Sequence, residues 1–506
     1  MRFVQNIKFA FVALAMAFAT VSCITEEYVP NSERERISLE AWIKLNKPGL
    51  LANYQENGGY YVELLDGDTN LGEPANGNDF GSEPLMEQDT CWVFTNITGR
   101  DINGAVCMTR SGVLADMCGT FSQLTHYVPY LNYCGNTNMG LLEGTYLAMR
   151  NELKLGNTTY KLRKGSKVRL YLPSSIAYGG SGSSTEGGYE GQYSLDASRP
   201  LILDVEVLRA IKNPSEHELE MVSRYIRGRS HWTQAKKHED EKVDEKDDLN
   251  LKGLYYSLAF NPESDDVDDY RYIRPELDIN QNNPYTDNKK YMDGKMAELN
   301  QQINDILLKR FGKGLSSDKL TDDAPTLVAD DGNAKIWYVL RFLDGFVVDT
   351  NIAEIRTLIF GEQNPTCEVF SYSPSDDKGK NEKERKAIGA WYYCIPKMHH
   401  GAYGQIITTS GYAYGAAGLS GTTTTETSST SNSASYYNAM NYYNYYNSYY
   451  NYYNPYYNYY DYNYYGYGYD YGAGDNMGEA VTKITISTEI LPYTPLVFTL
   501  YVEPYE

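Results

Sequence analysis

The stretch GQIITTSGYAYG, residues 404–415, reads as a strand that runs into a turn ending in Ala-Tyr-Gly, and LPYTPLVFTLYV, residues 491–502, is an apolar strand that closes the chain. The same pair occurs earlier as KVRLYLPSSIAYGG, residues 167–180, followed by RPLILDVEVLRAI, residues 199–211. Two copies of a strand, an Ala-Tyr-Gly turn, a variable loop and a closing strand indicate an internal repeat. The sequence therefore predicts two related folding units.

The segments before each copy extend the repeat. ISLEAWIKLN (residues 37–46) has apolar residues at helical spacing, and HELEMVSRYI (217–226) repeats its pattern before the second copy. GGYYVELLDG (58–67) and GLYYSLAFNP (253–262) both read as strands that follow these helices. We therefore place the first unit at residues 37–212 and the second at residues 213–506.

Composition restricts the classes of function. A chain of 506 residues has room for two to three domains, and its 42% apolar residues are enough for globular cores. The net charge is −21, whereas nucleic-acid binding demands a basic surface. The acidity suits an extracytoplasmic protein that must stay soluble, and no nucleic-acid partner is expected.

The N-terminus has the pattern of an export signal. Arg2 and Lys8 make a basic start, and residues 9–19 form an apolar stretch too short to span a bilayer stably. The stretch ends in Thr-Val-Ser-Cys, which resembles a bacterial lipobox and makes Cys23 the expected site of lipidation. The alternative is an ordinary secretory signal with a chance cysteine.

The boundaries that follow are a lipoprotein signal peptide at residues 1–22 and a tether at residues 23–36. Glu26 and Glu27 come soon after the cysteine and resemble the surface-export signal of Bacteroidetes-type lipoproteins. The expectation is an outer-membrane lipoprotein that faces the periplasm or the cell surface and contacts the membrane through its lipid anchor.

The second unit carries two insertions, at about residues 263–331 and 419–483. The first contains a predicted helix over residues 289–311. The second holds a tract, residues 436–471, that is almost wholly Tyr, Asn, Gly and Asp and supplies much of the chain's 50 tyrosines. Its lack of aliphatic residues argues against a core of its own. It is a solvent-exposed loop or, alternatively, a loop that binds a glycan or protein ligand through stacked aromatics.

The cysteines allow two interpretations, disulfides or buried free thiols. No Cys-x-x-Cys spacing occurs, so neither a zinc site nor a thioredoxin motif is suggested. Disulfides are permitted in an oxidising compartment, and four cysteines fall between residues 91 and 134. Buried free thiols are the alternative. The cysteines concerned, after Cys23, are Cys91, Cys107, Cys118, Cys134, Cys367 and Cys394.

The strand, Ala-Tyr-Gly turn and closing strand resemble the FKBP family of peptidyl-prolyl cis-trans isomerases. The resemblance covers most of both units apart from the insertions and is clearest in the second. It implies an α+β fold with two FKBP-like units, each an antiparallel sheet wrapped on a short helix. It also implies an apolar pocket that binds proline-containing polypeptides and needs no cofactor.

In the second unit the resemblance assigns the pocket residue by residue. YVLRFLDG, beginning at Tyr338, has the spacing of the family's YTGxLxDG hairpin, and FVVDT follows with Asp349 as the pocket aspartate. Val348 replaces the family's phenylalanine and reduces one wall. AIGAWYYCIPKM, residues 387–398, resembles the family's V-I-x-G-W-E-x-G segment, which makes Ile388 the cap over the proline and Trp391 the floor.

Two further positions complete this assignment. Tyr414 falls on the Ala-Tyr-Gly tyrosine, whose hydroxyl donates to a substrate carbonyl, and Phe498 falls on the closing-strand phenylalanine. The implied catalytic residues are Tyr338, Asp349, Trp391, Tyr414 and Phe498, with Val348 and Ile388 binding substrate. The alternative is that these aromatic residues only fill a small core.

The first unit departs further from the family. Tyr178 keeps the Ala-Tyr-Gly position and is the one substrate-binding candidate there. Thr145 replaces the floor tryptophan, Leu203 replaces the closing phenylalanine, and Cys107-Met108 stands where Phe-Asp is expected. This unit is interpreted as a structural or binding module.

The functional expectation is an extracytoplasmic peptidyl-prolyl cis-trans isomerase or foldase-type chaperone that acts through the second unit. The alternative is a non-catalytic surface binding or adhesion lipoprotein that uses the same folds with the tyrosine-rich loop as contact surface. The six histidines include no HExxH or similar spacing, so no metal site is expected.

Overall fold

The computed structural model describes most of residues 31–505, with gaps at 67–73, 122–124, 140, 183–194, 228–230, 239–248, 264–283, 330–331, 362–364, 366, 382–383, 420–422, 427–482 and 487. The predicted signal peptide, Cys23, the start of the tether and the tyrosine-rich tract lie outside the described residues. Within them, no helix combines the length and apolar character needed to cross a bilayer.

The first unit is built on an eight-stranded antiparallel sheet. Strand β4 (Val106–Thr109) pairs with β3 (Trp92–Arg100) and lies off the main path of hydrogen-bonded strands. That path, in hydrogen-bonding order, is β1 (Tyr54–Gln55), β2 (Tyr60–Asp66), β9 (Lys167–Leu172), β10 (Leu201–Ile211), β3 (Trp92–Arg100), β5 (Tyr130–Cys134) and β6 (Asn138–Met139). A separate hairpin joins β7 (Leu153–Leu155) to β8 (Thr158–Tyr160).

The second unit is built on a seven-stranded antiparallel sheet. Its path is β11 (Thr233–Lys236), β12 (Asn250–Ser257), β16 (Ala402–Thr408), β19 (Leu496–Val502), β13 (Ala334–Phe342) and β14 (Val347–Thr350), with β15 (Phe370–Tyr372) paired to β13. A hairpin of β17 (Thr423–Glu426) and β18 (Lys483–Ile486) stands at the base of the second insertion.

The two sheets share one connection pattern, which confirms the tandem arrangement. Strands β2-β9-β10-β3-β4 of the first unit have the same order as β12-β16-β19-β13-β14 of the second. In each unit the closing strand, β10 or β19, lies in the middle of the sheet between the strand that leads into the Ala-Tyr-Gly turn and the first strand of the hairpin. The expected α+β class with two antiparallel sheets is confirmed.

A short helix packs on one face of each sheet. Helix α3 (Glu143–Arg150) buries Ala148 and Met149 against the first sheet, and α7 (Gly389–Cys394) is buried along its whole length against the second. Helix α7 ends before Pro396, whose missing N–H favours the 3-10 turn Ile395–Lys397 that follows.

Other helices cover the opposite face of each sheet, because side chains alternate along a strand. Helix α1 (Asn31–Asn46), which begins inside the predicted tether, packs on the first sheet, and α4 (Pro214–Ile226) packs on the second. The predicted insertion helix is observed as α5 (Pro284–Phe311), and it packs with α6 (Ala353–Phe360) on the second sheet. In the first unit, the short helix α2 (Gly112–Met117) follows β4.

The two units contact each other through the first unit's side chains. The Nε2 of His126 lies 2.6 Å from the Oδ2 of Asp344, in the turn between β13 and β14, and the imidazole stacks on Phe342 at 4.4 Å. The ring of Trp92 packs edge-to-face against Tyr493, just before β19, at 5.1 Å. The first unit therefore contacts two segments that flank the second unit's central strands.

Candidate functional site

Tyr338 and Asp349 come together through the β13–β14 hairpin. Leu340 pairs with Asp349 and the register shifts at the next residue, which is a bulge in this hairpin. The Tyr338 hydroxyl donates to the Oδ2 of Asp349 at 2.6 Å. The hairpin therefore presents a phenol and a carboxylate as one hydrogen-bonded pair.

Trp391, in helix α7, forms the floor beside this pair. We call the cup the cluster made by Trp391, Tyr338, Asp349, Phe370 and Phe498. Its indole meets three rings edge-to-face: Tyr338 at 5.6 Å, Phe370 at 5.0 Å and Phe498 at 5.7 Å. Each such pair contributes about 0.5–1.5 kcal/mol beyond the area it buries. The indole is only 6% exposed, and its Nε1 has no hydrogen-bond partner among the described residues. The floor is therefore rigid and carries an unused N–H donor.

Arg356 is a member of this site that the sequence analysis missed. Helix α6 begins shortly after β14 and places Arg356 in its first turns, where Nη1 donates to the Oδ1 of Asp349 at 3.0 Å and to the Thr350 carbonyl at 3.1 Å. The only available signal was an arginine seven residues after the aspartate. Phe370, on β15, was missed for a related reason, because nothing local indicates that this short strand pairs beside β13.

The electrostatics of Asp349 reflect both its burial and its partners. Burial raises the pKa of the Asp349 carboxyl, and the Arg356 guanidinium and the Tyr338 hydroxyl oppose that rise because they stabilise the carboxylate. The side chain retains 31% exposure. The carboxylate is therefore hydrogen-bonded through both oxygens and remains partly exposed, so it is an oriented acceptor.

The Ala-Tyr-Gly turn contributes Tyr414 to the apolar cluster around Trp391. After β16, the Ser410 carbonyl accepts hydrogen bonds from the backbone N–H groups of Ala413 and Gly415, both at 2.8 Å, and Gly415 adopts a φ of +65°. Tyr414 between them is half-buried and packs on the same apolar cluster as Trp391. The turn therefore fixes the backbone on both sides of the predicted carbonyl-binding tyrosine.

The remaining predicted residues of the second unit lie in the same cluster. Val348 is 1% exposed and Phe498 3%, while Ile388 is partly buried at the start of helix α7. The structure thus brings together all the predicted site residues of this unit, and their roles stay predictions. Tyr178 lies in the separate core of the first unit.

The first unit's equivalent space is filled by its own side chains. Strand register places Met108, the partner of Gly99, where the second unit has Asp349, and Ile97 where it has Tyr338. A Cβ on Gly99 would lie 2.5 Å from the Cγ of Met108, so the methionine covers that glycine. The Tyr178 hydroxyl lies 3.7 Å from the Met108 sulfur. The loss of the pocket tyrosine at Ile97 was not apparent from the sequence.

The described residues contain no group of three or more His, Cys, Asp or Glu side chains that could hold a metal ion. Cys91, Cys107, Cys134 and Cys394 are buried thiols, and burial raises the pKa of Cys107 to about 11. The Cys134 amide donates to the Cys91 carbonyl at 2.7 Å, so these two are cross-strand neighbours. Cys91, Cys107 and Cys134 therefore pack in the core of the first unit, whereas Cys394 lies in helix α7 in the same apolar core as Trp391.

No protein-family model matches the sequence, and no curated protein matches it. Among solved structures, the chain is similar to the three FKBP domains of wheat FKBP73, at 10% identity over 89% of this chain and 96% of that one, with a TM-score of 0.20. It is also similar to FkpA from Escherichia coli, at 17% identity over 41% of this chain and 72% of that one, with a TM-score of 0.21.

A peptidyl-prolyl cis-trans isomerase from Pseudomonas syringae shares 17% identity over 34% of this chain and 95% of that one, with a TM-score of 0.19. Scores and identities this low carry no functional argument of their own. The comparisons thus find structural similarity to FKBP-type domains in tandem, at a level that leaves family membership unassigned.

Proposed function

We propose that the second unit is a peptidyl-prolyl cis-trans isomerase or foldase-type chaperone. The observation that carries this proposal is the Trp391 indole enclosed edge-to-face by Tyr338, Phe370 and Phe498, with the Asp349 carboxylate hydrogen-bonded at its edge. A flat aromatic floor with apolar walls and one oriented carboxylate suits a proline ring and the amide bond before it.

The reaction needs only differential binding. Rotation about an X-Pro bond faces a barrier of roughly 18–20 kcal/mol and requires no nucleophile, metal or proton transfer. The twisted amide has lost resonance, so its carbonyl oxygen carries less negative charge than in the planar ground state. A dry cup therefore favours the twisted form over the hydrated planar one.

Each polar group has a task in this scheme. The Asp349 carboxylate, held by Tyr338 and Arg356, lies against the carbonyl and repels the more negative planar form more strongly than the twisted one. The Tyr414 hydroxyl donates to the carbonyl of the following residue and fixes the peptide while the bond rotates. Ile388 and Val348 exclude water from the proline ring.

The proposal extends to location and partners. The lipobox-like sequence at Cys23 and the acidic composition support an outer-membrane lipoprotein, facing the periplasm or the cell surface, that acts on proline-containing segments of exported polypeptides. Acylation of Cys23 by mass spectrometry and protease shaving of intact cells would test the anchor and the direction of display.

A protease-coupled proline-peptide assay on the full chain tests the activity. The proposal expects isomerisation well above the uncatalysed rate, with losses of at least tenfold in Asp349→Ala and Trp391→Ala. Wild type at the background rate and indistinguishable from both variants would sink the enzyme proposal. That outcome would favour the non-catalytic surface-binding alternative.

A further inference from the structure

A buried glutamate is bound to the start of the Ala-Tyr-Gly turn. Glu218, on helix α4, accepts hydrogen bonds from the Ser410 backbone N–H at 2.7 Å and from the Ser410 hydroxyl at 2.8 Å. It is 2% exposed and lies 192 residues away in sequence. One carboxylate thus satisfies both donors of the residue that opens the turn.

The same arrangement occurs in the first unit. Glu35, on helix α1, accepts from the Ser174 backbone N–H at 2.5 Å and also from the Ser174 hydroxyl. The Ser174 carbonyl then accepts from the N–H groups of Ala177 and Gly179, on either side of Tyr178. The same contact occurs in both units. We therefore infer that it is a structural feature of the Ala-Tyr-Gly turn.

Among the described residues, no cationic side chain is paired with Glu218. On its own helix, His217 and Glu220 are directed toward Arg209, with Nδ1 of His217 at 3.2 Å from the guanidinium. Burial raises the pKa of Glu218 to about 7, opposed only by the two bonds from Ser410. Burying a carboxyl group costs free energy that an apolar side chain at the same position would not cost. We therefore attribute the presence of Glu218 to its hydrogen bonds with the turn.

The surroundings of the contact leave little room for adjustment. The Thr409 amide donates to the Gly253 carbonyl at 2.9 Å. A Cβ on Gly253 would lie 2.6 Å from Thr409 and 2.9 Å from Leu219. Leu219 of helix α4, Gly253 of strand β12 and Thr409 before the turn therefore pack closely together.

We propose that Glu218 is the positioning residue of Tyr414. Its carboxyl group holds Ser410, the Ser410 carbonyl holds Ala413 and Gly415, and these two residues hold the backbone of Tyr414 at the rim of the cup. The use of Tyr414 to bind a peptide carbonyl rests on the proposed function, whereas the order of the turn does not.

Hydrogen exchange followed by mass spectrometry on the full chain tests this at one pH. Glu218→Ala should raise exchange in residues 409–415 by at least tenfold and leave β19 protected. Glu218→Gln should restore protection, because its amide accepts from the Ser410 N–H and donates to the Ser410 hydroxyl. Glu35→Ala is the matched control: it should loosen residues 174–179 and leave residues 409–415 as they are.

Ser410→Ala guards against a variant that does not fold, because it removes a single hydroxyl. It should raise exchange in the same turn by a smaller factor. Unchanged protection of residues 409–415 in both Glu218→Ala and Ser410→Ala, or failure of glutamine to restore it, would overturn the inference.

A binding measurement then separates the inference from the proposed function. Titration with a proline-containing tetrapeptide should give a dissociation constant raised about tenfold in Glu218→Ala and near wild type in Glu218→Gln. A wild type that binds no such peptide while Glu218→Ala loosens the turn would remove the proposed function and leave the anchoring role in place.

Discussion

Asp349 shows how one residue depends on several elements. Strand β14 positions it, the Tyr338 hydroxyl of β13 binds one oxygen, and Arg356 of α6 binds the other. Because a carboxylate held on both sides has few rotamers left, it can act on a substrate carbonyl with little reorganisation. The site therefore depends on the hairpin and on the helix that follows it.

Loss of one hydroxyl should separate orientation from packing. Tyr338→Phe removes the bond to Asp349 and keeps the ring on Trp391, so we expect kcat/KM to fall about three- to tenfold, in line with roughly 1 kcal/mol for one hydrogen bond. Steady-state isomerase kinetics measure this. Tyr403→Phe is the control, since its hydroxyl donates to the Leu307 and Gly312 carbonyls away from the cup. Equal kinetic losses in both variants would contradict the role of Tyr338.

The sequence could predict these residues only where their spacing is local or repeated. Tyr338 and Asp349 lie in one hairpin, and Trp391 and Tyr414 lie within one helix-strand-turn segment, so the resemblance covers them. Arg356 enters from helix α6, which the sequence analysis did not predict. The position of Met108 could not be predicted in the same way, because it depends on how the side chain packs over Gly99 in the first unit.

At the element scale, Glu218 ties helix α4 to the Ala-Tyr-Gly turn. The sequence analysis predicted helices at residues 37–46 and 217–226 and aligned the two segments from their first residues. In the structure, Glu35 and Glu218 make equivalent contacts, so the two helices align in a different register. A periodic apolar pattern does not reveal which polar position on a helix faces a turn 192 residues later.

Gly253 should be intolerant of a side chain. Its φ is +82° and a Cβ there would lie 2.6 Å from Thr409, so Gly253→Ala should lower the free energy of unfolding by about 1–3 kcal/mol. Denaturant titration measures this. Gly411→Ala is the control within the turn, because nothing lies within 4 Å of its Cβ. It should change stability by less than about 0.5 kcal/mol, and equal effects would contradict the packing described.

Glu218 should make stability depend on pH. Its folded pKa of about 7 exceeds the ordinary value of 4.5, so its contribution to stability is fully present below about pH 4.5 and is lost as the pH rises through 7. Glu218→Gln does not titrate. Relative to wild type, it should gain on the order of 2–3 kcal/mol of unfolding free energy between pH 5 and pH 8 in denaturant titrations. Parallel curves for the two proteins would show that Glu218 titrates normally.

On the scale of the whole molecule, the two units share a strand order, but the first unit lacks the residues of the cup. Four positions that are aromatic or acidic in the second unit are Ile97, Met108, Thr145 and Leu203 in the first. The first unit nevertheless contacts the second through His126 and Trp92, next to its central hairpin and closing segment.

The His126 contact should couple the stability of the two units. His126→Ala removes the hydrogen bond with Asp344 and the stacking on Phe342, so thermal unfolding should lose cooperativity and its first transition should move down by several degrees. Differential scanning calorimetry measures this. Lys161→Ala breaks an exposed pair with Glu87 inside the first unit and should change little. A single unshifted transition in His126→Ala would show that the contact does not couple the units.

The central claim is that the second unit's aromatic cup catalyses rotation of X-Pro bonds. NMR exchange spectroscopy of a proline tetrapeptide with the full chain measures that rotation directly. Trp391 and Trp337 are matched in burial, 6% and 8% exposed, but Trp337 lies on the opposite face of β13 with its indole bonded to Glu503. We predict accelerated exchange with wild type and Trp337→Leu, and at least a tenfold loss with Trp391→Leu. Exchange at the uncatalysed rate with wild type, or equal rates with the two variants, would contradict the account.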